Sequence, residues 1–145
     1  MTTSDFFAHL MRAHAQIEER LRAIEVAEPD AMSSALDAFT SFAKQHQDDE
    51  EKILFPRLRP LPAFAQMVGA FDFQHQMNET EHGAFVACLR AQGGKGDLRR
   101  AALRFVEVQR AHLLAEERAL FPLAQQTLSP DALAAMALEL RTPNA

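Results

Sequence analysis

Hydrophobic positions recur every three to four residues along four long stretches of the chain, the spacing that lines one face of an α-helix. The first, residues 4–27, carries Phe7, Leu10, Met11, His14, Ile17, Leu21 and Ile24 on one stripe. The second, 30–58, carries Leu36, Phe39, Phe42, Ala43, His46, Glu50, Ile53 and Leu54. The third, 62–92, places Phe64, Val68, Phe71, His75, Asn78, Glu79, His82 and Phe85 inward. The fourth, 97–128, places Leu98, Ala101, Phe105, Val108, His112, Glu116, Ala119 and Leu120 inward. Glu28-Pro29-Asp30, the proline-rich residues 56–62 and the stretch Gly93-Gly94-Lys95-Gly96-Asp97 break these helices apart. Ser129-Pro130 opens a short fifth helix, serine as cap and proline in its first turn. Short connections make sequence neighbours antiparallel. The pattern predicts an all-α, up-down-up-down four-helix bundle over residues 1–145, a single domain, with the fifth helix as a lid on one end.

The stripes contain polar residues where a core is expected. They also repeat: His46 to Pro56 and His112 to Pro122 both read HxxxEExxLFP, at an offset of 66 residues, with phenylalanine seven positions before each histidine. On a helix, residues four apart share a face, so each copy offers an imidazole nitrogen and a carboxylate oxygen to one point in space. Two such helices facing one another supply a ligand set for a pair of iron-like ions, because carboxylates bridge hard cations while neutral imidazole suits borderline ones. Unpaired, such buried groups would cost several kcal/mol each.

His14, His46, His75 and His112 lie one on each helix near its middle, each followed four residues later by glutamate. Glu50 and Glu116 are the expected bridging carboxylates. Glu51 and Glu117, a quarter-turn away, read as solvated, Glu18 as part of a charged flank and His9 as surface. The third helix leaves two choices. Counting turns from either end of the bundle favours His75, whereas superposing the two halves pairs His14 with His82. Those two histidines are roughly 10 Å apart by helix rise, too far to bind one ion. His75 ranks first; His82, as ligand or as a polar group lining the approach, and Glu79, as an additional ligand, rank second. The Leu-Phe-Pro ends are expected to pack one end of the bundle, proline interrupting the helix beyond the ligands.

Composition narrows the chemistry. The lone Cys88 excludes internal disulfides and any cluster built on several thiolates, and the absence of Tyr and Trp removes phenol ligands and radical relays. A net charge of −5 with acidic and basic residues interspersed argues against nucleic acid or a membrane surface as partner. No basic and apolar leader precedes the first helix and no apolar run approaches a bilayer span, so a reducing, cytoplasmic setting is expected.

One histidine on the first helix, HxxxE followed by Glu-x-x-Leu-Phe-Pro on the second, histidine on the third and HxxxE on the fourth together resemble the hemerythrin-like (HHE cation-binding) family of four-helix bundles. The resemblance covers nearly the whole chain. It implies that His14 and His46 bind one iron, that the third-helix histidine and His112 bind the other, and that Glu50 and Glu116 bridge the pair with an oxo or hydroxo group. Oxygen-carrying members have HxxxH on the third helix and HxxxxD on the fourth, where this chain has His75-x-x-x-Glu79 and His112-x-x-x-Glu116. A shell richer in carboxylate favours the ferric state and oxidative turnover over reversible oxygen carriage.

The function expected from these readings is that of a non-haem di-iron protein handling a small diatomic or peroxide, in oxygen, nitric oxide or peroxide response or in iron handling. The alternative is a metal- or gas-responsive interaction module without turnover. The sequence names neither an enzyme class nor a protein partner.

Overall fold

The computed structural model describes residues 4–91 and 94–141, so the expected helix end at Gln92 and the loop residue Gly93 lie outside the described residues. Helix α1 (Asp5–Val26) starts where Ser4 Oγ accepts the Phe7 N–H at 3.4 Å. A 3₁₀ turn (Pro29–Ala31) leads into α2 (Met32–Asp49). Helix α4 (Ala65–Arg90) and helix α5 (Lys95–Ala115) form the second hairpin, and α7 (Pro130–Arg141) closes the chain, with Ser129 Oγ accepting the Ala132 N–H at 3.1 Å. Among the described residues there is no strand.

The second and fourth helices run past their prolines, as the expected bounds 30–58 and 97–128 have it, but the expected interruption at proline takes the form of a widened turn just ahead of it. After α2 the backbone widens into a π turn (Glu50–Leu54) and continues as α3 (Phe55–Leu58); after α5 it widens again (Glu116–Leu120) and continues as α6 (Phe121–Thr127). The Phe55 and Phe121 N–H groups reach back to the Glu50 and Glu116 carbonyls, five residues away instead of four. Pro56 and Pro122 come immediately after. Proline has no N–H to give an α-ladder and its ring crowds the carbonyl four residues back; a widened turn beside it removes that conflict, and the helix survives. The extra residue also rotates the helix beyond it. Leu54 with Phe55, and Leu120 with Phe121, are buried, whereas Ala119, expected inward, is exposed.

Around the bundle α1 packs beside α2 and α5, and α4 beside α5 and α2. The two motif-bearing helices therefore face each other across a diagonal. Two apolar clusters fill the ends. One gathers Phe6, Phe7, Leu58, Phe64 and Val68 under Met136 of α7, the expected lid. The other gathers Leu21, Ile24, Met32, Phe85, Ala102 and Phe105. Between them, at mid-bundle, lies a layer of buried polar side chains.

Candidate metal centre

That layer consists of the six residues ranked first from the sequence. His14, His46, His75 and His112 are between 2 and 7 % exposed, and Glu50 and Glu116 are completely buried. They form two groups, His14 with His46, Glu50 and Glu116, and His75 with His112, Glu50 and Glu116; within each group the donor atoms lie within 4.8 Å of one another. Both glutamates belong to both groups. Glu116 touches all four histidines: Oε1 lies 3.0 Å from His14 Nε2 and 3.4 Å from His46 Nε2, while Oε2 lies 3.4 Å from His112 Nε2 and 4.0 Å from His75 Nε2. Glu50 complements it, with Oε2 3.4 Å from His46 Nε2 and Oε1 3.2 Å from His75 Nε2.

The outward nitrogens explain why the inward ones point as they do. His75 Nδ1 donates to Glu51 Oε1 at 2.9 Å, His14 Nδ1 to Glu117 Oε1 at 3.0 Å and His112 Nδ1 to Gln74 Oε1 at 2.8 Å. A proton held at Nδ1 leaves Nε2 with a lone pair. Lone pairs on nitrogen then face lone pairs on carboxylate oxygen across 3 to 4 Å, which repels unless a cation or a proton lies between. Both Glu50 oxygens, Glu116 Oε2 and His75 Nε2 are buried without a hydrogen bond among the described residues. Convergent, buried and electron-rich, this donor set fits metal ions of the borderline-to-hard kind.

Without a metal, protons must do the same work. Burial pulls His46 down, but Glu50 and Glu116 beside it outweigh burial and raise it to about 10; His75, likewise opposed by burial, is raised by Glu50, Glu51 and Glu116 to about 9. The two carboxylates divide. Burial, then the charge of Glu116, lifts Glu50 above the usual range, whereas Glu116, against burial, is held well below it by its neighbours Glu50, His112, His14 and His46.

The second-ranked residues stand elsewhere. His82 is half-buried, hydrogen-bonded to Thr40 Oγ1 at 2.9 Å and set against the Phe105 ring, in neither group. Glu79 is exposed. Both line a cavity of about 370 Å³ between α2 and α4, with Thr40, Asn78, Glu51 and Gln109. Glu18, expected in a charged flank, binds Arg110 of α5 at 2.7 Å, and half-exposed His9 bonds Asp49 at 3.0 Å.

The comparison with known families agrees with this geometry: the Hemerythrin HHE cation binding domain matches residues 5–124. The chain belongs to that family. Neither a curated protein nor a solved structure matches it. The hemerythrin domain's matched span ends inside α6, so every one of the six central residues lies within it.

Sequence reasoning missed the glutamates that come directly after Glu50 and Glu116. Glu51 and Glu117, expected to be solvated, are half-buried and accept from His75 and His14. The quarter-turn offset was sound, but in a bundle a quarter-turn from the central face points to the neighbouring helix. The signal was present in the doubled Glu-Glu of both motif copies. Gln74 left no such trace. Among the described residues no helix is long and apolar enough to cross a membrane.

Proposed function

We propose that this hemerythrin-like domain is a non-haem di-iron protein that handles a small diatomic molecule or peroxide. The observation that carries the reading is the pair of four-residue donor groups sharing Glu50 and Glu116. His14 and His46 would hold one iron, His75 and His112 the other, with the shared carboxylates and the oxo or hydroxo group implied by the family joining them. Bound iron would supply a coordination position open to the small ligand and the electrons for redox chemistry.

The chain's own residues supply the setting. Phe55 stacks on His75 with ring centroids 5.6 Å apart, and Phe121 lies against His14 at 5.2 Å, so aromatic carbon covers the rings and keeps bulk water from them. Glu51 and Glu117 hold the imidazole protons on the outer nitrogens. The cavity walled by Thr40, Glu51, Asn78 and His82 gives a polar approach, with Glu51 one hydrogen bond from His75.

Elemental analysis with an absorption spectrum, on protein from iron-supplemented cells exposed to air, tests this. One iron for each group and a near-ultraviolet oxo-to-iron band are expected, and then reaction with peroxide or nitric oxide. Protein that holds no iron after anaerobic ferrous loading would refute the reading.

A further inference from the structure

Each copy of the repeated motif grips a histidine that lies outside it. From the first copy, Glu51 accepts the His75 Nδ1–H and Phe55 stacks on the same ring, the planes 19° apart. From the second, Glu117 accepts the His14 Nδ1–H and Phe121 lies on that ring. A carboxylate behind an imidazole fixes its tautomer, aims its other nitrogen and makes that nitrogen a stronger donor. The Glu-Glu-x-x-Leu-Phe part of the motif thus supplies a ligand, an anchor and a ring clamp in six residues.

The histidines inside the motif are not held alike. His112 Nδ1 donates to Gln74 Oε1, whereas His46 Nδ1, equally buried, has no hydrogen-bond partner among the described residues. One donor group therefore has both imidazoles oriented, by Glu51 and Gln74. The other has one, by Glu117.

We propose that Glu51 and Glu117 are positioning residues for His75 and His14, and that the two ion positions are unequal, the His75/His112 position filling first and binding more tightly. This rests on the di-iron reading. Orientation already present in the protein does not have to be gained on binding, so the fully anchored position loses less freedom when an ion arrives. His46 must settle its tautomer and ring angle at that moment.

Stepwise titration of metal-free protein with Co(II), a redox-inert stand-in for ferrous iron, read by calorimetry and by visible absorption, separates the two positions. Wild type is expected to bind in two distinguishable steps. Glu51→Ala should weaken the tighter step by about 10- to 100-fold and narrow the gap. Glu117→Ala should weaken the looser step by about the same factor and widen it. Glu51→Gln and Glu117→Gln, which keep an acceptor oxygen, should recover part of each loss. Both glutamates are about one-third exposed, so these changes open no cavity in the core. Equal weakening of both steps by either variant, or no weakening, overturns the proposal and leaves the di-iron reading standing. A wild type that takes up neither Co(II) nor ferrous iron overturns both.

Discussion

The two helical hairpins place their central histidines at one level by different means. Their second members, residues 32–58 and 95–127, share HxxxEExxLFP in the same register, down to the π turn and the proline after it. Their first members do not agree: 32 residues separate His14 from His46, and 37 separate His75 from His112. The arms resolve this. Twelve residues run from His14 to the end of α1 and fourteen from the start of α2 to His46; in the second hairpin the arms are fifteen and seventeen. Each arm of the second hairpin is three residues longer, about 4.5 Å of helix, so its loop lies farther from the centre while its histidines stay level. Matched arms, and not matched sequence, fix where a lone histidine must sit.

Breaking the shared carboxylates should have the largest effect. Glu116 reaches all four histidines and belongs to both donor groups, so Glu116→Gln is expected to cost both ions, whereas His75→Ala is expected to cost one. Metal content per chain after anaerobic ferrous loading distinguishes them. A Glu116→Gln protein that retains one full ion would show that the hairpins bind independently, without sharing this carboxylate.

The clamps give a comparison in stability. Phe55 and Phe121 are buried equivalents from the two motif copies, and truncating either to alanine should destabilise the fold by about 3–5 kcal/mol. Phe55→Ala should also loosen His75, and Phe121→Ala should loosen His14. Urea unfolding of the two metal-free variants tests the first statement, and Co(II) titration the second. If Phe121→Ala costs much less than Phe55→Ala, the repeat is a likeness of sequence without a likeness of packing.

Acidity offers a third contrast, between protein with and without metal. In metal-free protein His46 is raised to about 10 and His75 to about 9, above their unfolded value near 6.5. A raised histidine contributes stability that is fully present below the unfolded value and is lost as pH rises through the folded one. Metal-free protein should therefore lose stability between pH 6.5 and 10. Metal binding displaces those protons, so affinity should rise across the same window, and loaded protein should show a flatter profile. Urea midpoints taken at several pH values, with and without Co(II), check the sign; a metal-free midpoint that rises toward pH 10 would contradict it.

Much of this was legible in the sequence because helical period and breakers act locally. The four long helices, the capped fifth and the six central residues all come from spacing, since a buried His-x-x-x-Glu on an apolar stripe has few places to point. The misses arise where neighbouring helices decide. A widened turn ahead of Pro56 and Pro122 is a compromise between a missing N–H and a tightly packed core, and period counting that assumes 3.6 residues per turn throughout puts Ala119 on the wrong face. Glu51 and Glu117 read as solvated on a single helix, which has no neighbour to receive them.

The smallest effect expected is at His82, and it bears most directly on the difference between the hairpins. Superposing the halves by sequence pairs His82 with His14, yet from His82 only eight residues remain to the end of α4, against a partner arm of seventeen. A histidine there lies two turns off the level of His112. Its place is beside Thr40, in the wall of the cavity between α2 and α4. His82→Ala should therefore cost about the 1 kcal/mol of one hydrogen bond and leave both Co(II) steps at wild-type affinity. Loss of a step in that variant would mean that sequence likeness outranks matched arms, and His75 would have to give up its place in the site.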